Sequence, residues 1–353
     1  MNPPLWLREE GPESDVVLST RCRIARNLEL APFPWRASEL QRKVVSESLR
    51  NAAERAGGAL RDAESISAAH QMPEEINRLI EWRYASRTWA EGGSHRWLLA
   101  ARDGTLSLLI NEEDHLRIQA ISPGFQVESC MATAGEIERE LGLYVRFARH
   151  DRIGYLTSAL TNAGTGIRVS VFLHLCGLTM TGELESRLAT AKELGAAVRG
   201  LYGEGTSGAS GFFQISNRRA FDLHPQDVAS GVVASAQMLV RAERGARRSL
   251  YGSDSGRLSL AEEVYSSLTE IHLSDPSPKE LLTVVSMLRL GVAEGLLPAS
   301  LAATAEWVSL AGLSAAVESE PRREVERFEA ARRSATLRQR LRAILEPPGT
   351  FTG

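Results

Sequence analysis

The stretch Asn111-Glu112-Glu113-Asp114-His115-Leu116-Arg117-Ile118-Gln119 decides how the rest of this chain is read. It follows a short apolar run, Leu106–Ile110, which Asp103-Gly104 turns back from residues 97–101, a hairpin signal. Read as a strand that simply continues, its side chains alternate between faces. Glu113, His115, Arg117 and Gln119 then share one face, and Leu116, Ile118 and Ala120 the other. The apolar face suits a core. The polar face sets a carboxylate, an imidazole and a guanidinium in a row, which is either a solvated sheet surface or a place where something charged binds.

Upstream, residues 16–27 read VVLSTRCRIARN, and an extended chain puts Ser19, Arg21 and Arg23 on one face. Two arginines at that spacing present ten N–H donors, as an exposed basic edge or as a fork for an anion. Downstream, residues 154–175 carry Asn162, Gly164 and Gly166 in a loop whose amides could approach a phosphate. The strand after it alternates again, with Arg168, Ser170, Phe172 and His174 on one face. A helix over 183–197 then runs into a glycine-rich segment in which Arg199 precedes Glu204, and residues 211–217 form a further strand.

Helices fill the remainder. Ser38 caps one running to residue 56, residues 74–85 form a second, and 133–141 a third. From residue 226 strand signals almost vanish. Helical periodicity covers 227–244, 258–271, 301–310 and 322–345, and Ser277-Pro278-Lys279-Glu280 opens another helix as a capping box with proline in its first turn. A linker at 249–257 divides the chain into a domain of residues 1–248 and an all-helical domain of 249–353. Two domains also suit 353 residues.

Composition narrows the function classes. A net charge of −3 argues against a general nucleic-acid binder. No apolar run approaches the ~20 residues that span a bilayer. Cys22, Cys130 and Cys176 are isolated, which excludes a paired zinc motif, disfavours a disulfide framework and makes a reducing cytoplasm the expectation. Lysine occurs only at Lys43, Lys192 and Lys279, a bias that genome composition explains equally well. Any nucleotide chemistry here must therefore use arginine rather than a P-loop lysine. Arginines beside glycine loops suit a polyphosphate clamp, because guanidinium groups grip phosphate oxygens in pairs. Glu113 and Glu204 suit an acceptor that itself carries a guanidinium, which carboxylates orient and deprotonate.

Taken together, STRCRIARN (19–27), NEEDHLRIQ (111–119), GYLTSALTNAGTGIRVSV (154–171) and RGLYGEG (199–205) followed by FQISN (213–217) resemble the guanidino-kinase, or phosphagen kinase, superfamily. The resemblance runs in order across residues 15–244. It implies an α+β fold, an antiparallel sheet flanked by helices of the glutamine-synthetase type, with an all-helical C-terminal domain. It also implies ATP and Mg²⁺, with Ser19, Arg21, Arg23, Arg117, Arg168 and Arg199 binding nucleotide and Glu113 and Glu204 as the catalytic carboxylates. Only eighteen residues precede Ser19, and the helical part lies C-terminal, as in the bacterial protein-arginine kinases rather than the small-molecule enzymes. That branch implies protein substrates with exposed arginines, a stress-response role, an activator protein, a Clp protease and a homodimer through the C-terminal domain. A kinase for free arginine, or a non-catalytic phosphoarginine- or ATP-binding adaptor, is the alternative. Ala159-Leu160 stands where the family usually has Cys-Pro. Arg332-Arg333-Ser334-Ala335 lacks the acid of the phosphoarginine-sensing motif, so that regulation is not expected.

Overall fold

The computed structural model describes residues 1–91, 93–200, 210–274, 276–319 and 324–345. Strand β1 (Val17–Arg26) is followed by helix α1 (Glu39–Ala56), β2 (Glu64–Ser67), α2 (Pro73–Glu81), α3 (Arg87–Ala90), β3 (Trp97–Ala100), β4 (Leu106–Ile110), β5 (Leu116–Pro123) and α4 (Val127–Gly142). A small hairpin, β6 (Arg149–His150) and β7 (Gly154–Tyr155), precedes β8 (Ile167–His174), α5 (Cys176–Met180), α6 (Leu184–Glu193), β9 (Ala196–Gly200) and β10 (Phe212–Asn217). Helices α7 (Ser230–Tyr251), α8 (Asp254–Leu273), α9 (Pro278–Ala293), α10 (Leu301–Ser319) and α11 (Glu324–Leu345) complete the described chain.

Eight strands form one sheet in the order β2-β3-β4-β5-β1-β8-β10-β9. The pairs β2–β3, β3–β4, β4–β5 and β5–β1 are antiparallel, as the α+β expectation requires. The β1–β5 register sets Arg23 opposite Gln119 and Ala25 opposite Arg117. Directly opposed residues share a face, so Arg21, Arg23, Arg117 and Gln119 line one side of the sheet. Cys22, Ile24, Ile118 and Ala120 line the other and are buried. There α4 packs on β1 and β5, with Cys130, Ala134, Ile137 and Leu141 turned inward. Burying each such Ile or Leu side chain contributes roughly 1.5–3 kcal/mol, enough to fix which face carries the arginines.

On the arginine side, the outer strands are covered by a separate apolar cluster of Leu79, Tyr84, Trp89, Leu98, Ala100 and Leu109. Helix α1 forms where expected. Ser38 and Gln41 make its capping box, Val45, Leu49, Ala52 and Ala53 its buried stripe, and Gly57, at φ +69°, its stop.

Several local readings change. Strand β4 ends at Ile110, and residues 111–115 are the loop of a β4–β5 hairpin rather than a continuing strand, with Ile110 already paired to Leu116. Asn111 makes the reversal at φ +56°, a conformation that asparagine tolerates better than most residues. Its Nδ2 donates to the carbonyls of Arg42 (2.8 Å) and His95 (2.9 Å) and holds the turn in place. The helix expected over 74–85 stops at Glu81, because Arg83 takes a left-handed conformation at φ +61°. Such a backbone costs a non-glycine residue about 1–3 kcal/mol. Helix α6 stops at Glu193, and the residues expected to continue it turn at Gly195 (φ +96°) into strand β9. The expected linker at 249–257 is mostly helical, with only Gly252 and Ser253 between α7 and α8.

The glycine loop before β8 serves packing. Gly164 exchanges backbone hydrogen bonds with Tyr155 at 2.8 and 3.1 Å. Gly166 sits at φ +67°, and a Cβ added there would lie 2.7 Å from the Ala25 carbonyl oxygen, so only glycine fits.

The chain clusters as two compact units. One comprises Met1–Phe172, Thr190–Val198 and Ile215–Met238, and the other Leu173–Ala189, Arg199–Gln214 and Leu239–Gly353. In the second, α9 buries Leu281, Leu282, Val285 and Leu288 against α8 and α10. Among the described residues no helix is long and apolar enough to cross a membrane.

Candidate active site

Four of the arginines read from the sequence meet on one sheet face, and a fifth joins them. Arg21 is held well below the ordinary arginine range by burial and then by Arg23, Arg83, Arg117 and Arg168, all repelling its charge. Arg23 is pushed down to about 9 by burial, then by Arg117 and Arg168, with Glu112 opposing. Arg83, pushed down to about 10 by burial, lies outside the motifs that carry the other four. Arg168 sits on β8 with Nη2 donating to Ser216 Oγ at 3.2 Å. Nε of Arg21 is buried with no hydrogen-bond partner among the described residues. Like charges crowded at this depth repel strongly, and a bound polyanion relieves them all together.

The hairpin loop delivers the acids. Glu112 is buried, with Oε2 2.5 Å from Nη2 of Arg117 and Oε1 accepting from the hydroxyl of Ser86, the cap of α3. Glu113 behaves differently. Its side chain is 44% exposed and its Oε2 lies 3.6 Å from the same Arg117 nitrogen, near enough to be oriented yet open to an incoming group. A cavity of about 700 Å³ opens here, lined by Glu112, Glu113, Arg117, Ser158, Trp35 and Arg42 among others.

The rest of the loop is a strap. Asp114 is buried, its Oδ1 accepting from Asn27 Nδ2 (2.6 Å) and from the N–H of Ser158 (2.7 Å). The Ser158 hydroxyl returns a hydrogen bond to the Glu113 carbonyl at 2.7 Å. His115 does not share a face with Glu113 and Arg117 as alternation suggested, because residues 111–115 are not a strand. It is fully buried, Nδ1 accepting from the Leu28 N–H (3.0 Å) and Nε2 donating to the Pro32 carbonyl (2.9 Å). These bonds fix the neutral ring, and burial holds its pKa below the usual imidazole value.

Ser19 is buried two residues before Arg21 on the same strand. Arg199 is exposed at the end of β9, in the second compact unit. Glu204 lies outside the described residues. His174 is buried in the second unit, hydrogen-bonded to Ser286 Oγ at 2.8 Å and stacked on Phe212, and is closed to ligands. No group of three or more His, Cys, Asp or Glu among the described residues could cage a metal.

Comparison with known proteins gives this chain its family. Residues 44–246 fit the model of the ATP:guanido phosphotransferase C-terminal catalytic domain. The protein-arginine kinase of Halalkalibacterium halodurans is 36% identical over 293 residues, covering 83% of this chain and 82% of that one. That of Symbiobacterium thermophilum is 36% identical over 303 residues, covering 83% of each chain. Among solved structures, lombricine kinase superposes with TM-score 0.58 at 21% identity, covering 69% of this chain and 71% of that one. The duplicated taurocyamine kinase of Schistosoma mansoni with bound transition-state-analogue components gives 0.61 at 20% identity, over 76% of this chain and 40% of that duplicated chain. These two likenesses bear on the fold alone. The chain belongs to the ATP:guanido phosphotransferase family, with the protein-arginine kinases, and is a phosphotransferase acting on a guanidino nitrogen.

Proposed function

We propose that this protein transfers the terminal phosphoryl group of ATP to arginine side chains of other proteins, with Arg21, Arg23, Arg117 and Arg168 holding the phosphates and Glu113 serving the acceptor. The observation carrying the assignment is the convergence of those four guanidinium groups beside Glu113, the one partly exposed carboxylate of the hairpin loop. Ser19, Arg199 and Glu204 enter the proposal through their motifs, Glu204 as the second carboxylate.

In the reaction an arginine nitrogen of the substrate attacks the terminal phosphorus as the bond to the bridging oxygen breaks and ADP leaves. The proton lost from that nitrogen passes to Glu113, and the fixed guanidinium groups balance charge on the transferring phosphoryl. Mg²⁺ suits this site although the described residues offer no cage, since it binds through phosphate oxygens, waters and one or two carboxylates, and when bound it would neutralise phosphate charge. Glu113 is the residue placed to meet it. Glu112, already engaged by Arg117 and Ser86, is the positioning residue that holds Arg117 in the cluster.

The names of the relatives support a protein substrate. A catalytic domain of 1–248, a helical domain of 249–353 that dimerises, an activator protein, a Clp protease partner and a stress-response role belong to the same proposal. So does residence in the cytoplasm, which three unpaired buried cysteines suit.

Incubation with ATP–Mg²⁺ and an arginine-rich protein, read by mass spectrometry under conditions that spare acid-labile P–N bonds, should reveal phosphoarginine. Free arginine supplied in parallel should be a poor acceptor. Transfer to free arginine without protein labelling, or ATP binding with no transfer even beside a cell extract, would overturn the assignment.

A further inference from the structure

The other side of the sheet is not fully closed by α4. A cavity of about 710 Å³ opens between β1, α4 and the β6–β7 hairpin, all within the first compact unit. Cys22 and Ile24 line it from β1, so it lies across the sheet from Arg21 and Arg23. Its lining divides by burial. Cys22, Ile24 and Ile167 are buried and make an apolar floor. Arg139, Arg149 and Arg152 are exposed and stand at the mouth. Four arginines line this cavity against two acids, Glu138 and Asp222, and Glu138 is already joined to Arg26. Among the described residues none of the three mouth arginines makes an ion pair. Arg139 Nε donates to the Gly135 carbonyl of its own helix at 3.4 Å, and the Arg149 guanidinium carbon lies 5.7 Å from the Tyr155 ring centre. Excess positive charge above an apolar floor suits an anion with an apolar body.

Helix α4 adds an independent sign. Gly135 lines the same cavity from the middle of that helix, where only proline is less favourable than glycine. A helix glycine is commonly required by a neighbour too near for a Cβ. Gly291 in α9 is such a case, since a Cβ there would lie 2.9 Å from a methyl of Val264. At Gly135 an added Cβ would meet nothing within 4 Å. Packing within the chain therefore does not ask for glycine at this position, whereas an occupant of the cavity would.

We infer that this cavity is a second ligand site, for a small organic anion whose apolar body rests on Cys22, Ile24 and Ile167. Its carboxylate or phosphate head meets Arg139, Arg149 and Arg152. The site is separate from the reaction centre and does not depend on the assignment of the arginine face to ATP. Strand β1 is common to both, with this floor on one side and Arg21 and Arg23 on the other, so an occupant bears on the strand that carries them.

The test uses the full chain with a non-hydrolysable ATP analogue in excess, so that anions do not compete for the arginine face. Naphthoate and naphthyl phosphate are the probes, with naphthol as the body alone and inorganic phosphate as the head alone, all followed by calorimetry. At least one of the two anions should bind about tenfold or more tightly than either control, and the tighter of the two identifies the head group. The double variant R149S/R152S, which alters exposed residues only, should weaken that anion about tenfold or more and leave naphthol unchanged. G135L, which fills the cavity, should abolish binding while its thermal midpoint holds or rises, since leucine favours a helix over glycine. Anions that bind no better than naphthol, or that bind R149S/R152S and G135L as tightly as the wild type, would overturn the inference.

Discussion

Strand β1 carries arginines on both of its faces, and the two faces treat them oppositely. Arg26, on the α4 side, is buried with its needs met. Its Nε and Nη2 each lie 2.6 Å from Glu138 Oε1, its Nη1 donates to the carbonyls of Ala25 and Thr165, and its plane lies over Tyr155 at 3.4 Å. Arg21 and Arg23, on the other side, are surrounded by more arginines. Desolvating a charge is costly in both places. For Arg26 the protein offsets that cost itself. For Arg21 and Arg23 the offset must come from outside, which is how a binding arginine differs from a structural one of equal depth.

The largest effect should come from the acid that serves the second face. E113Q removes the proton acceptor while leaving a side chain of the same shape. Transfer should fall by roughly 10²–10⁴-fold, the usual contribution of a positioned general base. ATP affinity and the unfolding midpoint should barely move, since the carboxylate is 44% exposed. A variant that still phosphorylates at wild-type rate would end the role given to Glu113.

Next in size, exchanging partners on the two faces should give opposite signatures. E138A leaves Arg26 buried without its counter-ion, so urea unfolding should show a loss of about 3–5 kcal/mol, while the surviving folded protein binds ATP normally. R23A removes one charge from a repelling group. Stability should hold or improve, and ATP should bind about tenfold more weakly or worse. If R23A destabilises as much as E138A and leaves ATP binding alone, the distinction between the faces collapses.

Much of this was legible because strands impose a period of two. Arg21 with Arg23, and Arg168 alone, could be set on a face from spacing, and the register confirms that Arg117 joins the β1 pair. Alternation misled where the strand stopped. Glu113 and Arg117 are neighbours because Asn111 reverses the chain, not because they alternate, and His115 leaves the site to hold residues 28–32. Arg83 was illegible for another reason. Its position depends on a left-handed helix end, where sequence preference favours glycine, and on tertiary contacts with Trp6 and Phe172 that no local pattern encodes. The glycines at 164 and 166 looked like a phosphate cradle. Their requirement is steric, set by Ala220 and by Ala25.

The smallest effect concerns two buried histidines, one anchoring the hairpin loop and one in the second unit, and separates their titration from that of the arginine face. His115 and His174 are both buried and held below the ordinary imidazole pKa, His115 chiefly by burial and His174 by burial, then by Arg247 and Arg289. The unfolded chain therefore takes up protons that the folded one refuses. Stability is full above the unfolded value near ~6.5 and declines as pH falls below it, by at most ~1.4 kcal/mol per pH unit for each histidine. Unfolding midpoints should thus drop from pH 7 to pH 5, and H174Q should flatten the drop, leaving the part due to His115. Saturating ATP should raise the curve and leave the histidine drop in place, because Arg23 and Arg83, at about 9 and about 10, keep their charge throughout that range. A slope that vanishes with ATP would mean that the ligand's charge reaches the histidines, so that loop and arginine face titrate as one unit.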